Sequence, residues 1–427
     1  MSKETLNMPQ ELDGRAESTP PKSPKPRSGI MRHLALMGPA FVAGAWQFGP
    51  GNLTSAVQAG SKYQYTLIWV IIVSTILMIF ITDMSVRLGI KSPVSLVTTI
   101  KDHLGTFWGV LSGIGVFLIT LCFSVGNAIG TGLGLSLVVP HTSPMMWTII
   151  CSIAVFAILF LKGVYNIVEK ALIIAIALMS VSFIVSAFIS KADWAVAASG
   201  VIPTIPDGGW MLVIALVGTN FSMNAAFYAS YATKERNRRE DQYREITIAD
   251  TVPGIVAPGV MTCLVIIVAA AVLGHTGEAA TSIQSLATIF EPLAGPVGSY
   301  IFSLGFAASA FSSMIPNAIA GGTALSDAFG RGPHPSTVVG RIGSTAILSV
   351  GLVVSLVFTS SPVQLIVLAQ ALTVFIAPLL CILIIIMSNK KQLMGSLATK
   401  WWQNSIALIG FISVLALSIR LIINFAT

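Results

Sequence analysis

Apolar residues dominate the chain in long runs, and short polar stretches separate one run from the next. Eleven of these runs reach or approach the length of about 20 residues that a helix needs to cross a bilayer. They are called segments one to eleven and lie at 34–60, 64–88, 106–137, 144–161, 166–189, 209–233, 247–273, 296–326, 338–358, 362–388 and 404–424. The pattern predicts an all-α membrane protein with about 11 transmembrane helices, in which residues 31–427 form one polytopic transmembrane domain.

Segment one carries the sequence Gly49-Pro50-Gly51-Asn52 near its middle. Proline lacks a backbone donor and clashes with the preceding helical turn, and glycine weakens a helix further. Segment one is therefore predicted to break near the middle of the bilayer. Unpaired backbone groups at that depth are tolerated only where they line a polar cavity or are buried in protein. A substrate site at the break is one interpretation, and a proline kink without a ligand is the other.

Segment six is interrupted in a similar way. Its middle runs from Gly218 to Ala226 and contains a Thr, a Ser and two Asn. Such residues also hydrogen-bond neighbouring membrane helices, which is the alternative interpretation. Segments one and six hold corresponding positions in two halves of five segments each, and paired interruptions of this kind indicate the substrate site of a transporter. The pair therefore predicts a central binding site.

Composition agrees with a membrane protein, because only 10% of the 427 residues are charged, whereas soluble domains contain about 25%. The four cysteines all lie in apolar segments, so we expect no disulfide and no metal-binding cysteine motif. The net charge of +7 is attributed to cytoplasmic loops of a membrane protein, and no nucleic-acid partner is expected. No catalytic motif is present, so neither enzyme activity nor a cofactor is predicted.

Positive charge also predicts the orientation. Residues 1–30 are rich in Pro, Lys and Ser without an apolar core, which indicates a disordered cytoplasmic tail rather than a signal peptide. With the N-terminus inside, all but Lys62, Lys191 and Arg420 of the 24 Lys and Arg residues fall on the cytoplasmic side. We therefore expect an integral protein of a bacterial inner (plasma) membrane, with a cytoplasmic N-terminus and the C-terminus outside.

Short motifs along residues 34 to 424 resemble those of the NRAMP divalent-metal transporters. The matching residues are Gly38-Pro39-Ala40-Phe41, Gly49-Pro50-Gly51-Asn52, Gln58-Ala59-Gly60, Ile129-Gly130, Glu169, Asp193-Trp194, Gln370, Pro378 and Leu393-Met394-Gly395. The resemblance implies a LeuT-like five-plus-five inverted repeat with helices 1 and 6 broken, which works by alternating access.

The resemblance also implies a metal site, which this sequence changes. The site combines an Asp and an Asn from helix 1 with a backbone carbonyl and a Met from helix 6. Aligned on Gly218, these positions fall on Gly49, Asn52, Thr219 and Ser222. Only Asn52 matches a family side chain that binds metal. Met223 lies one residue from the Met position, so a shift of one residue in the alignment restores a sulfur.

Other family positions are neutral as well. The His of helix 6 falls on Asn224, and the acidic positions of helix 3 fall on Ser124 and Asn127. A second Gln of helix 10 falls on Ile376. Since a bound dication requires compensating charge, the sequence predicts that no metal site remains. Amides, hydroxyls and free N–H groups suit a polar organic or anionic solute better.

The leading hypothesis is therefore an NRAMP-like secondary transporter of a small polar organic or anionic solute. One alternative is a proton-coupled importer of Mn- or Fe-type divalent ions, and a second is a membrane sensor or scaffold without transport. Asp250, a turn into segment seven, is the candidate for ion or proton coupling, although a structural cap or ion pair is the simpler interpretation. The expected partners are a small molecule or ion and the lipid bilayer. The predicted substrate-binding residues are Gly49, Asn52, Ser124, Asn127, Thr219, Ser222, Met223, Asn224 and Gln370.

Overall fold

The computed structural model describes residues 38, 44, 46–160, 165–275 and 280–426, and within these ranges every regular element is helical. The predicted tail, residues 1–30, lies outside the described residues, as does most of the first half of segment one. The all-α prediction is confirmed.

Helices α1 to α11 correspond to the eleven predicted segments, with α6 and α10 each divided in two. They are α1 (Pro50–Tyr63), α2 (Ile68–Lys91), α3 (Thr106–Val138), α4 (Pro144–Phe160), α5 (Tyr165–Ile189), α6a (Trp210–Asn220), α6b (Met223–Glu235), α7 (Val252–Leu273), α8 (Pro296–Ala328), α9 (Val338–Val357), α10a (Pro362–Leu372), α10b (Ala377–Ser388) and α11 (Trp401–Ala426). The largest difference from the predicted bounds is at segment seven, where Thr247–Thr251 forms a π-helical turn ahead of α7.

Seven of the described helical spans are long and apolar enough to cross a membrane, and the bent pair α10a and α10b makes an eighth. Pro144–Leu159 in α4 and Ile176–Ile189 in α5 are apolar but shorter. Segment one, with α1 as its second half, completes the set of about 11 predicted from the sequence.

Both predicted breaks are present. In segment one, Phe48 and Gly49 leave the helical conformation, and α1 begins at Pro50. A proline is well tolerated there, because the first residues of a helix have no intrahelical partner for their N–H groups. In segment six, α6a ends at Asn220, Phe221 and Ser222 are non-helical, and α6b begins at Met223.

Segment ten contains a third bend, whereas its apolar pattern predicts one continuous helix over 362–388. A short 3₁₀ turn, Thr373–Phe375, follows α10a, and the chain bends by 41° before α10b. Pro378 stands in the first turn of α10b, where its ring disfavours continuation of the preceding helix. A single proline in an apolar run, without Gly or Asn beside it, gives no prediction of a helix break here.

The packing has the internal symmetry of an inverted repeat. α3 and α8 lie against each other along their lengths, and α1 packs on α7 as α6b packs on α2. The contact between α1 and α7 and the contact between α6b and α2 each include a glycine that leaves no room for a side chain. A Cβ atom on Gly60 of α1 would lie 2.4 Å from the Ile266 carbonyl, and one on Gly89 of α2 would lie 2.4 Å from the Ser230 carbonyl. The five-plus-five arrangement places segments one and six side by side at the centre.

Candidate substrate site

A small, nearly closed cavity lies between the breaks of segments one and six. Its volume is about 10 Å³, roughly the space of one water molecule. The lining residues come from both breaks and from α3 and α8, and are Trp46, Gln47, Gly49, Pro50, Gly51, Asn52, Phe123, Asn127, Thr219, Ser222, Asn224, Ser313 and Asn317. Six of the predicted residues, Gly49, Asn52, Asn127, Thr219, Ser222 and Asn224, are therefore brought together here.

The unwound backbone is partly satisfied by the surrounding helices. The hydroxyl of Ser309 on α8 donates to the Phe48 carbonyl at 2.6 Å. The hydroxyl of Thr373 is shared between the Gln370 carbonyl at 2.7 Å and the Gly218 carbonyl at 3.1 Å. Asn220 uses its Nδ2 to reach Ser74 and Thr75 of α2 at 2.7 and 2.8 Å. These bonds fix the breaks at the cavity, because buried backbone and amide groups are costly to leave unpaired.

Asn52 lies in the first turn of α1 and is 1% exposed. Its Oδ1 is 2.8 Å from the hydroxyl of Thr262 on α7, and its Nδ2 has no hydrogen-bond partner among the described residues. The same hydroxyl donates to the Pro258 carbonyl at 2.7 Å. Asn52 is thus held by α7 on one side and faces the cavity on the other.

Gln47 also lines the cavity, although it was not among the predicted substrate-binding residues. It is 2% exposed and lines the cavity, yet neither polar atom of its amide has a hydrogen-bond partner among the described residues. Buried amides are almost always bonded, so an unpaired one at a cavity indicates a place for a ligand. The available signal was an amide in an apolar run, two residues before Gly49.

Two further polar residues reach the cavity from α8. Asn317 donates from Nδ2 to the Thr120 carbonyl of α3 at 2.8 Å, which leaves its Oδ1 as an acceptor. Ser313 donates to the Ser309 carbonyl at 2.8 Å. Asn317 counted among the neutral polar residues of the segments expected to face the site, but neither it nor Ser313 was among the predicted substrate-binding residues, because their position depends on how α8 is rotated.

The sixth segment contributes a hydrogen-bonded pair. The hydroxyl of Ser222, in the break, donates to Oδ1 of Asn224, in α6b, at 2.6 Å. Thr219 bonds its hydroxyl to the carbonyls of Ala215 and Leu216 one turn back in α6a, both at 3.0 Å. The Thr219 hydroxyl is therefore already engaged within its own helix.

Four predicted residues do not line the cavity. Ser124 donates to the Leu121 carbonyl and lies against Gly351 of α9. Met223 is 1% exposed within the apolar core, so the structure does not turn its sulfur towards the site. These two differ from the prediction because helix rotation, which the alignment alone does not give, decides where a side chain points.

Gln370 and Asp250 have other positions. The Gln370 side chain lies directly against Gly51, whose Cβ atom would be 2.3 Å from its Cδ. It therefore supports the cavity wall from α10a. The carboxylate of Asp250 accepts a hydrogen bond from the Gly38 N–H at 2.9 Å, at the start of segment one and away from the cavity. Its role in coupling remains a prediction.

The donor set of the cavity is neutral. Its polar side chains are amides and hydroxyls, and none of the described residues that line it is acidic or basic. Across the part of the chain that the structure describes, no group of three or more His, Cys, Asp or Glu residues could hold a metal ion. Any cation in the cavity is therefore bound by uncharged oxygen atoms.

Two discontinuous helices that meet at a central cavity, within an inverted repeat, define the class of LeuT-like membrane transporters. The family model described as natural resistance-associated macrophage protein-like (Nramp) matches residues 40–424. The chain therefore belongs to the Nramp family, as the sequence motifs predicted, and it is a transporter.

Curated relatives cover nearly the whole chain. The divalent metal cation transporter MntH of Klebsiella pneumoniae (strain 342) is 28% identical over 389 residues, which are 86% of this chain and 89% of that protein. MntH of Deinococcus radiodurans is 24% identical over 421 residues, covering 94% and 92% of the two chains. These relatives are transporters, in agreement with a carrier rather than an enzyme.

Solved structures support the same fold. A mutant of the Eremococcus coleocola manganese transporter superposes with a TM-score of 0.76 at 18% identity, over 93% of this chain and 87% of that one. MhsT in complex with L-phenylalanine gives a TM-score of 0.58 at 16% identity, over 89% and 98% of the two chains. The LeuT-like prediction is confirmed.

Proposed function

We propose that this protein carries a divalent metal cation across the membrane by alternating access through the cavity between segments one and six. The observation that carries the proposal is a cavity of about 10 Å³ lined by amide and hydroxyl groups. It occurs in a chain whose curated relatives are named divalent metal cation transporters. The sequence analysis favoured a polar organic or anionic solute, and the family and the size of the cavity favour its metal alternative instead.

The size of the cavity fits a metal ion better than an organic solute. A volume of about 10 Å³ holds one water-sized particle, and a bare divalent metal ion is smaller than a water molecule. An organic solute needs a site several-fold larger. The cavity as it stands accepts an ion without rearrangement of its walls.

The chemistry of the cavity lining also fits a hard divalent cation. Amide and hydroxyl oxygens are hard donors of the kind that bind Mg²⁺, Ca²⁺ and Mn²⁺. Gln47, Asn52 and Asn317 each present an amide group to the cavity, and Ser313 adds a hydroxyl. With Ser222 at the position of the family's sulfur ligand, we expect little preference for softer metals. The missing carboxylate at Gly49 makes binding weaker than in a site that contains an Asp.

Access to the cavity supports an alternating mechanism. Asn224 lines both the central cavity and a second one of about 400 Å³, which reaches Lys234 and His334 at the end of α6b. A third cavity, of about 460 Å³, lies at the opposite end, beside Tyr63 and the start of α6a. A closed site between two wider vestibules is the arrangement expected of an occluded transporter.

The test is ion uptake into proteoliposomes, with Mn²⁺ and Mg²⁺ compared in parallel. We expect saturable uptake, and Asn52→Ala should raise the half-saturating concentration by about five- to 150-fold, because one ligand of a desolvated site is lost. Asn389→Ala is the matched control, since Asn389 is exposed and lies in the connection between α10b and α11. No uptake of either ion by the wild type, or equal uptake in wild type and Asn52→Ala, contradicts the proposal.

A further inference from the structure

We propose that the groove between α2, α6a and α11 is a binding site for one anionic phospholipid, whose phosphate pairs with Arg420. The groove has a volume of about 440 Å³. Two features of the groove lining indicate an anionic phospholipid as the ligand. One is a single cationic side chain at one end, and the other is the apolar side chains along the rest.

Arg420 is placed to bind a phosphate. Its guanidinium carbon lies 5.1 Å from the ring centre of Trp210, and its Nε is buried without a hydrogen-bond partner among the described residues. It is also the one charged residue among the described residues that line the groove. An arginine within a membrane helix is costly unless it is paired, and its planar group of donors matches phosphate oxygens.

The depth of Arg420 fits a lipid headgroup. Trp69 and Trp210 line the same end of the groove, at the first turns of α2 and α6a. Tryptophan is enriched at the level of lipid headgroups, where its ring meets both water and hydrocarbon. A phosphate paired with Arg420 at this level leaves the acyl chains directed towards the middle of the bilayer.

The rest of the groove fits an acyl chain. From Trp69 to Leu77 it follows α2 for about 12 Å, at a rise of 1.5 Å per residue. Its walls there are almost entirely apolar and include Val73 and Val217. Every methylene buried in such a groove adds to binding, and a free phosphate lacks this contribution.

The inner end of the groove touches the transport site. Phe221 lines the groove, and it is one of the two non-helical residues at the break of segment six. The other is Ser222, which lines the central cavity. An acyl chain in the groove therefore contacts the hinge of segment six, so lipid binding is expected to alter the equilibrium between transporter conformations.

The experiment measures lipid retention by native mass spectrometry. Purified full-length protein is placed in nanodiscs of phosphatidylcholine alone, or of phosphatidylcholine with phosphatidylglycerol, and then released from them. We expect the wild type to retain phosphatidylglycerol in preference to phosphatidylcholine, because the choline ammonium offsets the charge of the phosphate in the second lipid, whereas phosphatidylglycerol is net anionic. Arg420→Gln should weaken the retention of phosphatidylglycerol by about ten- to 150-fold, the effect of one charged hydrogen-bonded contact.

Two controls separate a groove from general attraction to a charged surface. Lys191→Gln removes an exposed positive charge that does not line the groove, and it should leave retention unchanged. Ser413→Trp fills the groove while Arg420 stays in place, and it should abolish retention. Circular dichroism and size-exclusion chromatography identify any variant that fails to fold. Equal retention of the two lipids, or equal retention by wild type and Arg420→Gln, overturns the proposal, and the readout does not depend on transport.

Discussion

The hydroxyl of Thr262 on α7 lies 2.8 Å from Oδ1 of Asn52 and orients the Asn52 amide next to the break of segment one. The hydroxyl has one proton, and the Pro258 carbonyl, 2.7 Å away, can only accept it. The oxygen and nitrogen of an amide can be exchanged without a change of shape. In the exchanged orientation Asn52 donates from Nδ2 to Thr262, and its oxygen faces the cavity, where a cation requires it.

This relationship predicts the effect of Thr262→Val, which keeps the shape of the side chain and removes its hydroxyl. The half-saturating ion concentration for uptake should rise about two- to tenfold, because Asn52 is no longer oriented by a hydrogen bond. Thr262→Ser restores the hydroxyl and should restore uptake. Uptake by Thr262→Val at the wild-type level would show that Asn52 needs no support from α7.

Gln47→Leu should raise stability and impair transport together. Removing two buried polar atoms without partners is expected to stabilise the protein by about 1–3 kcal/mol, while the cavity loses a ligand. The melting temperature in detergent and uptake in proteoliposomes measure the two effects. Gln392→Leu is the matched control, because Gln392 is exposed in the connection before α11. A lower melting temperature for Gln47→Leu contradicts the assignment of Gln47 as an unpaired ligand.

The double substitution Gly49→Asp with Ser222→Met should raise the affinity for divalent metals and shift the preference towards softer transition metals. A Cβ atom on Gly49 would meet the Trp46 carbonyl at 3.1 Å and would lie 3.9 Å from both Asn127 Oδ1 and Ser313 Oγ, so there is room for the first atom of a side chain after a small adjustment, and it faces the cavity ligands. A carboxylate beside the ion should raise Mn²⁺ affinity at least about tenfold, as measured by calorimetry. Gly49→Asn with Ser222→Met is the control of equal size without the charge. Equal affinities in the two double variants would rule out charge as the missing element.

Orientation remains a prediction of the charge pattern, and it can be tested by cysteine labelling. The starting variant lacks the native cysteines, Cys122, Cys151, Cys263 and Cys381. A cysteine in the 234–245 connection should react only with reagent inside, and one added after Thr427 only with reagent outside. Labelling of the added C-terminal cysteine from the inside would require an even number of spans.

The sequence predicted the helices well, because hydrocarbon demands long apolar runs and forbids unpaired backbone. The same physics revealed the breaks at Gly49 and at Ser222, where Gly, Pro and Asn interrupt such runs. The bend in segment ten was less visible, since Pro378 reads equally well as a tolerated first-turn residue. Gly, Pro and Asn are thus informative when they cluster and ambiguous when they stand alone.

Site residues were harder to predict, because they depend on helix rotation and on cavity size. Asn127 and Ser124 are three residues apart on α3, yet Asn127 lines the cavity and Ser124 faces α9. Gln47 carried no family motif, so nothing in the alignment distinguished it. The solute class was inferred from the missing charge and from the neutral donors that replace it, while the volume that favours an ion is a property of packing.

A cavity that holds one water-sized particle has a consequence for the speed of transport. A cation cannot enter it with a full hydration shell, so it has to exchange nearly all its water for protein oxygen atoms on the way in. We therefore expect the release of water to contribute to the rate of the cycle, in addition to the affinity of the site. Mg²⁺ dehydrates reluctantly, so two ions that bind equally well are expected to cross at different speeds, with Mg²⁺ the slower.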